Sequence, residues 1–361
     1  MKNLHLPGIC FKHIAMIFSA FLFSINIFAQ SDSSENKLTD TLFAENDFFL
    51  SDKPLRFKLI SDFKKLQKEK AQRKYQPAEL IYFHGDTGQI TWQVKVKPRG
   101  KNRLENCYYP PLKIAFKNTE AAQKMSFNSL KMVVKCQDLP KYQNYLLKEF
   151  VCYKLYNILS DTCFKVRLVD FIYEDIGKKN PEQMKMYAFL IEDDKMLAGR
   201  LNMKLLKHEN LTQRNISPFH IMRLAMFQFM IGNFDWAVPT QQNLQVLESV
   251  QKKTKYYVAP YDFDYCGLVG AEYAVPNEIL GIRDVYERIY LGECMPEGLF
   301  APLKQLFESK KQEFYNIIND FEYLDETQKK QMIKYLEEFY FILNHKDFYS
   351  KYIRKTCKEI K

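Results

Sequence analysis

Residues 217–231 read Ser-Pro-Phe-His-Ile-Met-Arg-Leu-Ala-Met-Phe-Gln-Phe-Met-Ile, and this stretch decides the layout of the second half of the chain. Ser217 is a favourable N-cap and Pro218 suits the first turn of a helix. The sequence therefore predicts a helix over 219–231 that ends at Gly232. Because this helix is apolar almost all round, we expect it to be buried in the centre of a domain.

The segments that follow this helix predict a mainly helical second half. A hairpin is expected with its two arms at 244–247 and 256–259. Amphipathic helices are expected over 301–320 and 326–354, where apolar residues recur at helical spacing.

The segments that precede the helix predict a sheet. Apolar and polar residues alternate from Ile90 to Lys97, which indicates a half-buried strand. Short apolar runs predict the other strands, at 80–83, 112–116, 130–136, 164–173 and 186–191. Two helices are expected in this half, a polar one over 61–74 and an amphipathic one over 142–159.

The order of these elements predicts an α+β protein made of two lobes. A sheet-rich N-lobe would occupy residues 42–192, and a helical C-lobe would occupy residues 193–361. A signal peptide over 1–29 and a polar linker over 30–41 would precede the two lobes.

The N-terminus carries the pattern of a secretory signal. A short basic region with Lys2 and Lys12 precedes an apolar run from Ile14 to Phe28, and Ala29 supplies a small residue at the cleavage point. The run is shorter than the ~20 residues that a spanning helix needs. We therefore expect export to the periplasm or beyond, cleavage near Ala29 and no transmembrane segment afterwards.

The net charge favours anionic partners. The full chain carries +10 at pH 7, of which Lys2 and Lys12 would leave with the signal peptide. Nucleic acid is the usual partner of a basic protein, but export argues against it. Phosphorylated ligands and acidic components of the cell envelope are the expected alternatives.

The cysteines predict disulfides rather than a zinc site. Seven of the eight cysteines follow the signal peptide, and no two of them form a Cys-x-x-Cys pair. In an oxidising compartment we expect Cys107 to pair with Cys136 and Cys266 to pair with Cys294. The odd number leaves at least one thiol unpaired.

The strongest chemical signal is a set of polar residues at the ends of predicted elements. Asp235 follows the buried helix, Asn243 precedes the hairpin, and Asp262 and Asp264 follow its second arm. Carboxylate and amide oxygens suit Mg²⁺ or Mn²⁺. Phosphoryl transfer uses one Asp to orient the attacking group, and an Asn and a second Asp to hold the metal ion.

The same stretches carry a family resemblance. Ile231-Gly232-Asn233-Phe234-Asp235-Trp236, followed by Asn243 and Pro260-Tyr261-Asp262-Phe263-Asp264, resembles the catalytic and metal-binding segments of the spore-coat CotH family of atypical kinases. HipA-type kinases share the Gly-Asn-x-Asp pattern. The basic segment 99–103 and the strand 111–116 are similar to upstream CotH segments, so the likeness spans roughly residues 90–295.

The resemblance implies a two-lobed, protein-kinase-like fold and a set of site residues. Asp235 would be the catalytic residue, and Asn243 and Asp262 would bind Mg²⁺ or Mn²⁺, with Asp264 as the alternative to Asp262. Lys135 would hold the phosphates of ATP or another nucleotide, placed by an ion pair with Glu149. The remaining candidates are basic residues that could contact phosphate; they are Lys113 and Lys131 as alternatives to Lys135, and Arg99 and Arg103.

Three functional hypotheses follow from the sequence. The leading one is an exported kinase that transfers the γ-phosphoryl group of a nucleotide to a protein hydroxyl group. The second is an inactive member of the same family that serves as a binding module in the envelope. It is favoured by the single glycine of Arg99-Gly100 and by the long spacing from Asp235 to Asn243. The third is a binder of acidic polymers, which the positive charge favours.

Overall fold

The computed structural model describes residues 48–49, 51–85, 87–116, 128–207, 210–251 and 256–357. The predicted signal peptide and polar linker lie outside the described residues, so both stay predictions.

Strands of the first half close into a barrel. In the described part of the chain these strands are β1 (Leu55–Ser61), β2 (Gln76–His84), β3 (Gly88–Pro98), β4 (Leu112–Ala115), β5 (Ser129–Val133), β6 (Val166–Asp175) and β7 (Glu182–Ile191). Their order around the barrel is β1-β2-β3-β4-β5-β7-β6. Neighbours run antiparallel except β1 and β6, which pair in parallel and close the ring.

The alternation of side chains explains why the barrel has a dry interior. Successive residues of a strand point to opposite faces, so every second residue faces inward. The inward side chains are apolar and fully buried; one from each strand is Leu59, Leu80, Val96, Ile114, Met132, Phe171 and Leu190. The predicted strand over 90–97 is confirmed as the middle of β3.

Two short helices lie in the connections of the barrel. Helix α1 (Phe63–Lys68) packs Phe63 and Leu66 against the barrel, and a 3₁₀ turn (Lys70–Gln72) follows it. Helix α2 (Asn102–Asn106) follows β3. Helix α1 and the 3₁₀ turn replace the single polar helix that was expected over 61–74.

The remaining helices, one of them from the first half of the chain, surround a central buried one. The helices are α3 (Pro140–Leu159), α4 (Asp194–Arg200), α5 (Pro218–Ile231), α6 (Phe300–Asn319) and α7 (Glu326–Leu343). A small sheet, ordered β10-β9-β8, contains β8 (Met203–Leu205), β9 (Leu244–Ser249) and β10 (Tyr256–Pro260). Helix α5 is buried along nearly its whole length, as its sequence predicts. The helix expected over 326–354 ends at Leu343, and a π-helical turn (Tyr349–Ile353) comes later.

The prediction of a two-lobed, protein-kinase-like α+β fold is wrong. The first half is a closed, mixed barrel, because β1 pairs with β2 on one side and with the distant β6 on the other. Residues 55–61 were not expected to form a strand. Helix α3, expected in the N-lobe, contributes Leu147 and Val151 to the core that surrounds α5.

Two disulfides are present among the described cysteines. The bond between Cys107 and Cys136 confirms the prediction and ties the end of α2 to the segment after β5. The predicted bond between Cys266 and Cys294 is wrong, because Cys294 bonds to Cys357. No helix in the described ranges combines the length and the apolar character needed to cross a membrane.

Candidate functional site

The loop after α5 is fixed by Gly232 and Asn233. Gly232 adopts the left-handed conformation (φ 66°) and ends the helix. The buried side chain of Asn233 donates to Gln228 Oε1 at 3.0 Å and accepts from the backbone N–H of Asp235 at 2.9 Å. The position of Asp235 is therefore set by the buried end of α5.

Two glycines bring the loop after α5 against the loop after β10. The N–H of Gly267 donates to the carbonyl of Gly232 at 3.1 Å, and that of Leu268 donates to the carbonyl of Ile231 at 3.0 Å. A Cβ atom would lie 2.0 Å from the Tyr335 hydroxyl oxygen at Gly232 and 2.2 Å from it at Gly267. Only glycine fits at this crossing, which holds the two acid-bearing loops together.

The hairpin of β9 and β10 presents Asn243 and Asp262 at the same end. The N–H of Tyr261 donates to the carbonyl of Asn243 at 3.0 Å, directly beyond the last paired residues of the two strands. Both Asn243 (φ 53°) and Asp262 (φ 64°) are left-handed. This conformation is uncommon for residues other than glycine and is often found at functional sites.

Asp235 is held by two amide side chains. Gln242 Nε2 donates to Asp235 Oδ1. Asn243 Nδ2 donates to Asp235 Oδ2 at 2.9 Å and to its carbonyl oxygen at 2.7 Å. Burial raises the pKa of Asp235, while the bonds from Asn243 and Gln242 oppose the rise. The structure therefore brings together the predicted catalytic Asp and the predicted metal-binding Asn.

Asp262 lies at the surface of the cleft with its backbone tied down. Its N–H donates to the buried Tyr153 hydroxyl oxygen at 2.8 Å, which fixes the left-handed residue. The side chain keeps 45% of its surface exposed. Its enclosure by protein and the nearby Asp264 raise its pKa, while Arg103 and Arg99 oppose the rise.

Arg103 lies at the centre of a buried ion-pair cluster. Its Nε atom donates to Asp264 Oδ2 at 2.8 Å, its Nη2 atom donates to Glu149, and Asp262 Oδ1 lies 3.8 Å away. Burial lowers the pKa of Arg103, but Asp264 and Glu149 outweigh burial and raise it well above its ordinary value. Burial also raises the pKa of Glu149, opposed by Arg103. The arginine expected at phosphate is thus engaged by carboxylates.

The predicted ion pair between Lys135 and Glu149 is not formed. Lys135 Nζ donates to Asp138 Oδ1 at 2.6 Å, and Arg103 takes the position beside Glu149. The pairing of Arg103 with Glu149 could not be predicted from the sequence, because the two residues belong to α2 and α3, whose contact depends on tertiary packing.

The barrel presents a row of three lysines instead. Lys113 on β4 lies directly across from Lys97 on β3 and from Lys131 on β5, so all three project from the outer face. Lys131 is paired with Asp194 at 2.7 Å, and Lys97 lies over the Tyr75 ring. Like charges directly opposite one another destabilise a sheet, so this row favours an anionic ligand.

Arg99 and Lys101 connect this row electrostatically to the acids. Burial is the largest cause of the raised pKa of Asp262, and the charge of Arg99 opposes that rise. Burial lowers the pKa of Lys131, and the charge of Arg99 adds to the lowering. Lys101 opposes the rise that burial causes in the pKa of Asp235. Cations from the barrel side therefore face carboxylates from the helical side.

A metal ion would find few ready ligands. Across the described ranges, no three His, Cys, Asp or Glu side chains are arranged to hold one. Asp264 is taken by Arg103, but Asp262 is exposed, and the amide nitrogen of Asn243, not its oxygen, bonds to Asp235. Mg²⁺ commonly binds one or two protein oxygens and completes its shell with phosphates and water. Asp262 and Asn243 fit that mode.

Two tyrosines of the site were missed in the sequence. Tyr153 lies four residues after Glu149 on α3, so helical spacing could have placed both on one face. Tyr265 lies close to Asp235, Asp262 and Asp264, all of which raise its pKa after burial, the largest cause. No pattern in the sequence marks Tyr265.

Comparisons with known proteins leave the family open. No protein-family model matches the chain, and no curated protein matches it. Among solved structures, the proinflammatory kinase CtkA of Helicobacter pylori is similar with a TM-score of 0.38 and 14% identity, over 67% of this chain and 89% of that one. Likeness at this level carries no conclusion, so the CotH resemblance stays a prediction from the motifs.

Proposed function

We propose that this chain is an exported, metal-dependent kinase that transfers the γ-phosphoryl group of ATP or another nucleotide to a protein hydroxyl group. The observation that carries the proposal is the bonding of Asn243 to Asp235 on the hairpin that also presents Asp262. Asp235 and Asn243 are bonded to each other, and Asp262 directly follows Tyr261, whose N–H donates to the carbonyl of Asn243. The two disulfides support the export part of the proposal, because disulfides persist in oxidising compartments.

Asp235 would orient the acceptor and take its proton. Its carboxylate is fixed by Gln242 and Asn243, and a base whose pKa lies above the usual carboxylate range accepts a proton more readily at neutral pH. The acceptor oxygen forms a bond to the γ-phosphorus, and the bond from that phosphorus to the bridging oxygen of the nucleotide breaks. The nucleoside diphosphate leaves with that oxygen.

The chain would bind the phosphates from both sides. Arg99, Lys113 and Lys131 supply positive charge from the barrel, and Asp262 with Asn243 supplies oxygen ligands from the hairpin. Mg²⁺ or Mn²⁺, when bound, would neutralise charge that develops on the phosphates. Lys131 replaces Lys135 in this proposal, because Lys131 lies in the row with Lys113 and Lys97, whereas Lys135 lacks the predicted ion pair with Glu149.

A second candidate is a binding module without catalysis. It is favoured by Arg103, which already forms ion pairs with Asp264 and Glu149, two acids that an active metal site could otherwise use. Such a module would not bind a metal–nucleotide complex.

Thermal unfolding with ATP and Mg²⁺ or Mn²⁺ separates the two candidates. Ligand at 100 times its Kd stabilises the folded state by about 2.7 kcal/mol, or roughly 5 °C in Tm for a chain of this size. We expect that rise for the wild type with both ligands, and its loss in Asp262→Asn. Asn tolerates the left-handed backbone, so this variant keeps the loop.

Asp320→Asn, an exposed acid at the end of α6, is the matched control and should keep the full rise. The absence of any rise in the wild type with either metal would refute the kinase proposal and favour the binding module. A rise would then justify a search for acceptors with γ-labelled ATP.

A further inference from the structure

A groove lined by tyrosines opens beside the acidic centre. We call it the tyrosine groove; its main lining residues are Asn106, Gln137, Tyr142, Tyr265, Tyr273 and Val275. It encloses a cavity of about 300 Å³. This volume lies at the lower end of the range of about 300–1,000 Å³ that is usual for ligand pockets.

The tyrosine groove adjoins the buried acidic centre. Arg103 lines the groove and donates to Asp264 at 2.8 Å, and Asp262 Oδ1 lies 3.8 Å from it. Tyr265 also lines the groove and follows Asp264 in sequence. An acceptor segment in the groove would therefore lie beside the proposed reaction centre.

Among the described residues that line the groove, the only charged one is Arg103, and it is already paired with Asp264 and Glu149. Lys141, next to the lining residue Tyr142, is paired with Glu272, 2.5 Å away. A charged occupant would lose hydration on entry without gaining a counter-ion. The groove is therefore suited to an uncharged ligand.

The walls combine apolar surface with amide groups. Tyr142 and Tyr273 stack with ring centroids 6.1 Å apart, and the Val275 side chain remains 68% exposed. Aromatic rings supply large contact areas in protein recognition, and the amides of Asn106 and Gln137 match the hydrogen-bonding groups of a peptide backbone. A sugar could also use the rings and amides, but the exposed aliphatic Val275 favours an apolar side chain.

We propose that the tyrosine groove binds the acceptor polypeptide through an uncharged segment with a bulky apolar side chain next to the reactive hydroxyl residue. That the bound polypeptide is a phosphoryl acceptor rests on the proposed kinase function, but the binding itself does not require activity.

The test uses short fluorescein-labelled peptides with a central Ser, neutral flanks and one flanking position fixed as Phe, Leu, Asp or Lys. Fluorescence anisotropy with the purified, oxidised chain measures their affinity. We expect the Phe and Leu peptides to bind at least about tenfold more tightly than the Asp and Lys peptides, because a charge in the groove stays unpaired. Equal binding of all peptides, or a preference for charge, would overturn the proposal.

Val275→Asp places a charge in the groove at an exposed position, so the fold is retained. It should weaken binding of the Phe peptide at least about tenfold without a change in Tm. Val250→Asp, at another exposed valine outside the groove, is the matched control and should bind as the wild type does. Equal loss in both variants would contradict the assignment.

Two further measurements separate this inference from the proposed function. Selective binding of apolar peptides without a nucleotide-dependent rise in Tm would support the peptide site and refute the kinase proposal. A nucleotide-dependent rise in Tm without a preference for apolar peptides would support the kinase proposal and refute the peptide site. Tight binding of a neutral oligosaccharide such as cellotetraose, in place of the peptides, would show a saccharide site instead.

Discussion

Removal of the Arg103 charge tests the buried cluster on which the site is built. Arg103→Met keeps an unbranched side chain of similar volume but removes the guanidinium group. The side chain of Arg103 is 10% exposed, and those of its partners Glu149 and Asp264 are 1% and 4% exposed. The variant therefore leaves two carboxylates buried without their cation.

The structure sets the size of the expected effect. Breaking a buried ion pair by removing one partner costs about 3–5 kcal/mol, because the remaining charge is left unpaired. Protonation of Glu149, whose pKa burial already raises, limits the cost. We expect the free energy of unfolding to fall by about 3 kcal/mol near neutral pH, which is roughly 4–6 °C in Tm for a chain of this size.

The effect should depend on pH. Burial raises the pKa of Glu149 in the folded state and Arg103 opposes the rise, so without Arg103 that pKa rises further above its unfolded value. The folded variant then binds more protons than the unfolded chain, so its stability falls as pH rises. Urea titrations should show a smaller loss at about pH 5.5 than at about pH 7.5, where the carboxylates must ionise.

Two further variants make this reasoning refutable. Combining Arg103→Met with Glu149→Gln and Asp264→Asn should recover most of the stability, because no buried charge remains. Lys178→Met removes an exposed partner of Glu182 and should change nothing measurable. A loss below about 1 kcal/mol for Arg103→Met at both pH values would show that the cluster is not buried as described.

Three other perturbations have defined outcomes. Gly232→Ala should lower the free energy of unfolding, measured by urea titration, by about 2–5 kcal/mol, because alanine would adopt a left-handed backbone and its Cβ would clash with the Tyr335 hydroxyl. A change under about 1 kcal/mol would contradict the close approach of the two loops at Gly232. Replacing both Cys107 and Cys136 by Ser should cost about 2–4 kcal/mol and lower Tm, since the bond closes a long loop; an unchanged Tm would contradict this. The pKa of Asp262 is raised in the folded state, so the folded protein loses stability relative to the unfolded chain as the pH rises through that pKa. Without ligand, Asp262→Asn should therefore have a higher Tm than the wild type near neutral pH. The rise in Tm that ATP and metal give the wild type should decrease as the pH is lowered. The decrease should begin at a higher pH than for a metal site built on a carboxylate with an ordinary pKa. A rise in Tm that does not depend on pH would exclude Asp262 as a ligand.

Part of the candidate site could be predicted from the order of residues and elements along the chain. Asp235, Asn243 and Asp262 stand at the ends of α5, β9 and β10, where the pattern places them. Side chains at element ends converge whenever the elements pack together, so their meeting could be anticipated. The partner of Glu149 could not be anticipated, because Arg103 and Lys135 are both cations at neutral pH and only the path of α2 decides which of them reaches Glu149.

The sequence by itself determined the buried helix α5, the strand β3, the hairpin that carries Asn243 and Asp262, and the pairing of Cys107 with Cys136. These features depend on periodicity and on contacts between segments that are near in sequence. Only the tertiary structure decided that the first strands close into a barrel, that Arg103 forms ion pairs with Glu149 and Asp264, and that tyrosines line a groove beside them. Each of these joins segments distant along the chain, and such contacts form only when the whole fold excludes water and brings the segments together.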